Sequence, residues 1–207
     1  MSIRASRASI RASRTSRTIA LLAIVAALTA PAAVPAVAAS PAGGEPRITS
    51  TSSLTGWGRM DYPAPGNDIR VTVDARAFYG PGHLPVRSEG TFRISHRTDA
   101  VNGQPASDHW GEFAVDCLTT GGPVATVTGR LVRTDPGGPW EKAGYLKRHI
   151  RMGVSFYVAG ENGGRSRIGL SGGTEKGELP LKKCMAPAPD AAVVAGGYTL
   201  KDRTPVG

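Results

Sequence analysis

This 207-residue chain has few cysteines, few aromatic residues and little helical periodicity. The two cysteines are far apart and form no C-x-x-C motif, so a thiol redox site is not predicted. Aromatic side chains make up only 6% of the residues. No long segment has the 3.6-residue period of an amphipathic helix, which argues against a parallel α/β architecture.

Residues 1–39 have the organisation of a secretory signal peptide. The arginine-studded stretch "SIRASRASIRASR" precedes an uncharged apolar run over residues 19–28 and then small residues up to "AVAAS". Pro31 and Pro35 interrupt the apolar run before it reaches the roughly twenty residues that span a membrane. Cleavage is predicted near Ala38 or Ala39, and no cysteine follows the run to carry a lipid. We therefore expect a secreted, extracellular or cell-wall-associated protein that keeps no stable membrane anchor after cleavage.

The charge of the chain depends on that cleavage. Five arginines leave with residues 1–39, and no acidic residue leaves with them, so the formal charge falls from +9 to +4. The high isoelectric point of the whole chain would otherwise indicate nucleic acid. No nucleic-acid partner is predicted, although a disordered arm rich in arginine and serine remains the alternative for the first eighteen residues.

The rest of the chain is long enough for one domain with a core of its own. The small, polar and proline-containing residues 40–53 are interpreted as a flexible N-terminal lead. A single β-rich domain is predicted for residues 54–202, followed by a short C-terminal tail at 203–207.

Alternation of apolar and polar residues indicates several half-buried β-strands. In "DIRVTVDARAF", Ile69 and Val71 fall on one parity, while Arg70 and Thr72 fall on the other. The stretches "TFRISH", "EFAVDC" and "HIRMGVSFYV" repeat the pattern, and in "EFAVDC" the inward parity includes Cys117. The stretch after Pro139, "WEKAGYLKR", could form a helical turn or two.

Turn signals separate these strands. "YGPGH", "TTGGP", "DPGGP" and "ENGG" combine residues that preset or permit turn conformations. In "PVATVTGRLVRT", Gly129 indicates a bulge or bend in a long strand. The fold class predicted is all-β: an antiparallel β-sandwich or barrel of about seven to nine strands, with one disulfide.

Cys117 and Cys184 are the residues of that disulfide. Both survive signal cleavage, and an even cysteine count in an exported chain favours pairing. Two buried free thiols are the alternative.

Several short stretches together resemble a group of secreted actinobacterial proteins of unknown function that are commonly labelled repetin. The stretches are "GTFRISHR", "CLTTGG", "RMGVSFY", "RIGLS", "CMAPAP" and "GGYTL". The resemblance runs from about residue 54 to 202. It implies an exported protein and supplies no catalytic residues. The chain has no D-x-[DN]-x-[DN]-G loop, so the calcium sites of the animal protein with that label are not expected.

One stretch has a catalytic interpretation. "GLSGG" satisfies G-x-S-x-G, and His96, Asp116 and Ser171 occur in the order of a trypsin-like triad. Leu170 replaces the aspartate of the protease loop, and no helix is predicted after Ser171 to form a nucleophile elbow. A glycine-rich turn after a strand is the preferred interpretation, so no catalytic residue is assigned, and a small serine hydrolase is kept as an alternative.

Metal and cofactor binding are not predicted. The four histidines have no ligand-like i, i+2 or i, i+4 partners. "DHWGE", residues 108–112, could supply two carboxylates and an imidazole, but a solvated loop entering a strand explains it as well.

Binding to a polymer is the better supported hypothesis. Residues 130–183 carry eleven basic and five acidic residues, a net +6 that could attract an anionic wall polymer. A solvated strand face explains the same pattern. Aromatic residues near glycines and prolines could stack on sugar rings; the candidates are Trp57, Trp110, Trp140 and Tyr145. We expect a non-catalytic extracellular or envelope-associated β domain, with a carbohydrate-binding module as the second hypothesis.

Overall fold

The computed structural model describes residues 47–100, 103–160, 163–172 and 180–206. The predicted signal peptide, residues 1–39, lies outside these ranges. Within them the chain forms eight strands and two one-turn helices. In chain order these are β1 (Ser50–Met60), β2 (Asn67–Tyr79), β3 (Arg87–Thr98), β4 (Ser107–Gly121), β5 (Val124–Thr134), α1 (Pro139–Lys142), α2 (Tyr145–Arg148), β6 (Arg151–Tyr157), β7 (Arg167–Leu170) and β8 (Ala191–Pro205).

The strands form one antiparallel sheet that closes on itself. Each strand pairs with the next one in the sequence, and β1 also pairs with β8, which completes a barrel. Closure is weakest at β7, a four-residue strand that pairs with β8 only at Arg167–Ala192 and Ile168–Ala191. The predicted all-β antiparallel fold is confirmed, and of the two architectures considered, the strands adopt the single closed sheet.

The sheet extends beyond the predicted domain at both ends. β1 begins at Ser50, so the last four residues of the predicted lead belong to the sheet, and β8 continues through Pro205 into the predicted tail. The start of β1 has no apolar alternation because its buried residue is Ser52. The Ser52 hydroxyl lies 3.4 Å from the hydroxyl of the fully buried Tyr79, which replaces an apolar contact with a polar one.

The barrel interior is filled by the apolar parity of the predicted strands. Ile69, Val71 and Val73 are buried as predicted, and the rings of Phe92 and Phe113 stack at 4.7 Å between centroids. The other buried members of this core are Leu54, Ala75, Ala77, Tyr79, Ile94, Val115, Leu118, Ala125, Val127, Leu131, Ile150, Met152, Val154, Phe156, Ile168 and Val193.

The two short helices lie at the end of the barrel where β4 begins and β5 ends, here called the helix end. Trp140 of α1 packs against the core, with its ring edge-on to Phe113 at 5.7 Å. Gly111 makes this close approach possible, because a β-carbon there would lie 1.9 Å from the Trp140 ring. The predicted helical turns after Pro139 therefore close the helix end of the barrel.

A β-bulge in β4 reverses the side on which Cys117 lies. Val115 pairs with Gly129 but Cys117 pairs with Thr128, so Asp116 is an extra residue in the ladder. Leu118, not Cys117, continues the interior core. The prediction that Cys117 shares the inward face of Phe113 is wrong because a bulge shifts the alternation by one residue.

Cys117 instead joins the barrel to a covering segment, the strap, residues 180–190. The Cys117–Cys184 disulfide is present, with Cα atoms 5.3 Å apart. The strap crosses the outside of β5, β6 and β7: the Cys184 amide donates to the Thr128 hydroxyl at 3.1 Å, and the Ser155 hydroxyl donates to the Pro187 carbonyl. Gly153 lies directly beneath, where a β-carbon would be 2.3 Å from the Met185 carbonyl oxygen. The strap explains why the outward polar residues Thr128 and Ser155 are buried.

Candidate functional site

The outer face of β2, β3 and β4 carries a polar groove of about 400 Å³, here called the outer groove. Its lining residues are Asp68, Arg70, Thr72, Arg93, Ser95, Arg97 and Asp108. These residues come from the polar parity of the strands whose apolar parity fills the barrel. Since side chains of a strand alternate between the two faces, burial of the apolar set places all of these polar side chains outside.

Strand register brings the lining residues into cross-strand rows. Thr72 pairs with Arg93, and Arg70 pairs with Ser95. Asp68 pairs with Arg97, which pairs in turn with Asp108 on β4. Short hydroxyl side chains thus alternate with arginines across the groove, which leaves a recess between the longer side chains.

Trp57 and Trp110 lie on opposite sides of the outer groove. Trp57 on β1 pairs with Thr72, and Trp110 on β4 pairs with Ser95. Three strand spacings of about 4.8 Å place their backbones about 14 Å apart across the sheet, and the register offsets Trp110 from Trp57 by two residues along the strands. Trp57 is 45% exposed. Two of the four predicted aromatic candidates are therefore brought together on one face.

Each of these tryptophans has an arginine beside its ring. The guanidinium carbon of Arg93 lies 3.9 Å from the centroid of Trp110, and that of Arg70 lies 6.0 Å from the centroid of Trp57. Cations favour the faces of aromatic rings, most of all indole. The groove therefore has a cation and an indole at both margins.

Arg70 is fixed by an ion pair with Asp68. Its guanidinium donates three hydrogen bonds to the carboxylate, at 2.6 to 3.2 Å. The hydrogen bond from Arg70 lowers the pKa of Asp68, and Asp68 in turn raises the pKa of Arg70. Because the pair is solvent-exposed, it adds little to stability and mainly fixes the orientation of Arg70.

The other two aromatic candidates belong to the packing of the barrel. Trp140 and Tyr145 are partly buried against the hydrophobic core at the helix end. The Tyr145 ring also lies under the Arg148 guanidinium, at 5.2 Å. The structure thus places these two side chains in a barrel cap and away from the outer groove.

The three residues of the serine-hydrolase alternative are held in separate places. His96 Nε2 lies 2.5 Å from Asn67 Oδ1. His96 pairs with His109, which is seven positions before Asp116 on β4, a separation of about 23 Å at about 3.3 Å per residue. Asp116 accepts from the Thr128 hydroxyl at 2.6 Å and from Arg151 Nε at 2.8 Å. His96 and Asp116 therefore cannot form the base and carboxylate of one triad in this structure.

Ser171 has a structural partner. Its hydroxyl accepts a hydrogen bond from the Gly153 amide at 2.9 Å, and the side chain is only 8% exposed. The Ser171 amide donates to the Gly153 carbonyl at 3.0 Å, so both polar groups of Gly153 depend on this residue. The Ser171 hydroxyl, just after the end of β7, therefore provides the hydrogen-bond acceptor of the buried Gly153 amide.

We expect Ser171→Ala to lower the free energy of unfolding by about 1–3 kcal/mol, because the buried Gly153 amide would lose its acceptor. Ser53→Ala is the control, since the Ser53 hydroxyl makes no hydrogen bond within the described ranges. Urea denaturation measures both. A fluorophosphonate probe should leave Ser171 of the native protein unlabelled, and stoichiometric labelling would restore the hydrolase alternative.

The "DHWGE" stretch does not converge on a metal. Asp108 lines the outer groove, His109 Nδ1 lies 2.8 Å from Asp135 Oδ2, and Glu112 accepts from Arg133 at 2.6 Å. Within the described ranges, no group of three potential ligands is placed to hold a metal ion.

Asp135 joins the end of β5 to β4. Burial acts to raise the pKa of Asp135, but hydrogen bonds from the Trp110 amide, His109 and Thr134 outweigh it, and the pKa is lowered. The carboxylate accepts from the Trp110 amide at 3.0 Å and from the Thr134 hydroxyl at 3.1 Å. This polar cluster fixes β4 where Trp110 meets the groove.

Part of the predicted basic stretch, residues 130–183, is neutralised or bonded within the fold. Arg133 pairs with Glu112, and Arg151 pairs with Asp116. Arg130 donates to the His149 carbonyl at 3.2 Å. These three arginines therefore have partners of their own and do not form one open cationic surface.

Sequence reasoning missed the arginines of the outer groove. Alternation in the sequence places Arg70 and Arg93 on the polar faces of their strands, but only the register between β2 and β3 decides which polar side chains meet. The sequence signal that could have indicated the groove is the presence of arginines on the solvent-facing side of two strands joined by one turn.

Comparison with known proteins finds no matching family model, no matching curated protein and no matching solved structure. The resemblance to the repetin-labelled group therefore stays a prediction. In the part of the chain that the structure describes, no helix is long and apolar enough to cross a membrane.

Proposed function

We propose that this chain is a secreted, non-catalytic β domain associated with the cell envelope, and that it binds a polysaccharide across the outer face of β1 to β4. The observation that carries the proposal is the position of Trp57 and Trp110 on opposite sides of the outer groove. The signal-peptide pattern of residues 1–39 supports export, and the Cys117–Cys184 disulfide is compatible with an extracellular protein.

The chemistry of the groove suits a sugar polymer. Indole rings supply apolar surface for the faces of sugar rings, and they lose little conformational freedom when they bind. Thr72 and Ser95 supply hydroxyl groups between them, and the flanking arginines supply further hydrogen-bond donors. A polymer lying across the strands would meet the exposed Trp57 ring at one margin, polar groups between, and Arg93 stacked on Trp110 at the other.

The interior of the barrel offers little space for a ligand. Large apolar side chains fill it, and Trp140 packs over the helix end. The solvent-exposed side chains of the sheet are therefore the better place for a ligand than the lumen.

The resemblance to secreted proteins labelled repetin agrees with an extracellular role. It brings no catalytic residue, and the hydrogen bonds of Ser171, His96 and Asp116 give each of them a structural role. The proposed function therefore assigns binding, without turnover, to the chain.

We expect Trp57→Ala and Trp110→Ala each to weaken binding to cell-wall polysaccharide about fivefold or more, since tryptophan is enriched among the contact residues whose truncation costs more than about 1 kcal/mol. The protein is recovered from the medium of a secreting host. Its retention on purified wall polysaccharide and the quenching of its tryptophan fluorescence are then measured by titration.

Tyr157→Ala is the matched control, because the Tyr157 ring also lies beside an arginine, Arg167, at 4.8 Å, but on β6. Its binding should equal that of the native protein. Equal binding by all variants, or no retention of the native protein on any wall polysaccharide, would contradict the proposed function. Failure of the chain to reach the medium would contradict its secretion.

A further inference from the structure

Arg93 differs from the neighbouring arginines because no acidic side chain neutralises it. Within the described ranges, Arg93 makes no hydrogen bond or ion pair, and its contact is the stacking on Trp110 at 3.9 Å. Glu112 lies directly opposite Arg93 in the register of β3 and β4. Arg133 occupies that carboxylate from the other side, with three hydrogen bonds at 2.6 to 3.0 Å.

Arg93 is exposed, and its N–H groups have no hydrogen-bond partner within the described ranges, so they are accessible to a ligand. A guanidinium that lies over a ring uses its face for the stack, while its N–H groups point outward in the plane. This planar array matches two oxygens of a carboxylate or phosphate. Because the indole restricts the motion of the side chain, less conformational entropy is lost when an anion binds.

We propose that Arg93, stacked on Trp110, binds an oxyanion group of an acidic polysaccharide. This inference rests on the proposed function and adds to it the charge of the polymer and the residue that recognises it. The ligand class is a sugar polymer that carries carboxylate or phosphate groups, with a neutral ring stacked near Trp57 and a charged unit beside Arg93.

The charge distribution of the sheet favours this placement. The outer groove combines Arg70, Arg93 and Arg97 with Asp68 and Asp108, so its net charge is +1. A neighbouring depression on β2 and β3, nearer the opposite barrel end, is lined by Asp74, Arg76, Glu89, Gly90 and Thr91 and has a net charge of −1.

An anionic polymer would therefore be repelled if it ran along β2 and β3 into the acidic depression. Lying across the strands, from Trp57 to Trp110, it stays within the cationic groove. The arrangement therefore favours an anionic polymer that crosses the strands over one that follows β2 and β3 into the acidic depression.

The test compares charged and neutral forms of one polymer. Polygalacturonate, its fully methyl-esterified form and poly(glycerol phosphate) are titrated against the native protein, Arg93→Gln and Arg93→Lys at low salt. We expect Arg93→Gln to weaken binding of an anionic polymer about tenfold, and Arg93→Lys to weaken it less, because lysine keeps the charge but not the planar fork. The ester should bind about tenfold more weakly than polygalacturonate and should respond little to either substitution.

Arg167→Gln is the matched control, since Arg167 also stacks on an aromatic ring, that of Tyr157, and lies in the predicted basic stretch. It should change binding less than twofold. Sensitivity to Arg93 on either anionic polymer supports the proposal, and the tighter of the two identifies the oxyanion as carboxylate or phosphate.

Two results would overturn the inference. Equal losses of affinity in Arg93→Gln and Arg167→Gln would show that the polymer is held by general charge attraction. Binding of the ester as tight as that of polygalacturonate would show that the charge is not recognised. Either result would leave the proposed polysaccharide binding intact. If no polymer, charged or neutral, binds the native protein, the proposed function fails with the inference. Thermal unfolding of each variant excludes a folding defect as the cause of lost binding.

Discussion

Replacing both Cys117 and Cys184 by serine is expected to lower the free energy of unfolding by about 4 kcal/mol, because the disulfide closes a loop of 67 residues in the unfolded chain. The folded structure should change most at the strap. Without the disulfide, its attachment depends on a few hydrogen bonds, including those to Thr128 and from Ser155. Urea denaturation of the variant and of the native protein measures the loss.

Tryptic cleavage gives a second measurement that is local to the strap. Lys182 and Lys183 are exposed residues within it, and a chain segment must leave the surface before a protease can bind it in extended form. Reduction of the folded native protein should therefore accelerate cleavage after these lysines, while cleavage within the barrel strands stays slow. If reduction changed neither the denaturation midpoint nor this cleavage, the strap would be held by its noncovalent contacts alone.

Trp140→Ala is expected to lower the free energy of unfolding by about 3 kcal/mol or more, a cost typical of removing a large packed aromatic side chain. The indole contacts Phe113 and covers Gly111, which has no side chain to fill the space that would be left. The end of the core would then be open to water. Chemical denaturation monitored by far-UV circular dichroism measures the effect without relying on tryptophan emission.

Trp57→Ala is the matched control for Trp140→Ala. Both substitutions remove an indole, but Trp57 is 45% exposed on the outer face of β1, whereas Trp140 packs against the core. Trp57→Ala should therefore cost less than about 1 kcal/mol. Similar losses in the two variants would contradict the assignment of Trp140 to the core and of Trp57 to an open surface.

Local patterns in the sequence predict most of the strands but not their boundaries. The alternation of Ile69, Val71 and Val73 with polar residues is sufficient to predict β2, because burial of one face imposes a period of two. The start of β1 could not be found in this way. Its inward Ser52 is satisfied by Tyr79 from the neighbouring strand, and that partner is specified by tertiary structure.

The bulge at Asp116 shows a second limit. The pattern "EFAVDC" reads as unbroken alternation, and only the pairing of Val115 with Gly129 and of Cys117 with Thr128 reveals the extra residue. Gly129, where the sequence predicts a bulge or bend, lies on the partner strand β5 at this irregularity. The disulfide was predictable from the even cysteine count and the predicted export, whereas the face on which it lies was not.

The candidate site depends on register in the same way. Trp57 and Trp110 were sequence candidates, but Trp140 and Tyr145 satisfied the same criterion and proved to be part of the barrel cap. The pairings of β1 with β2, β2 with β3 and β3 with β4 show that Trp57 and Trp110 share one outer face, which the sequence alone does not reveal. Since register is set by long-range contacts, the composition of the groove could be read only after the strands were aligned.

The pairing of β1 with β8 has a consequence for the order in which the chain can fold. Successive strands from β1 to β7 pair with their neighbours in the sequence, but one edge of β1 stays unpaired until the last strand, Ala191–Pro205, reaches it. Until that pairing forms, the folding chain therefore presents an exposed strand edge, which is a site for pairing with other chains. Protection from such association is complete only when the two ends of the domain meet.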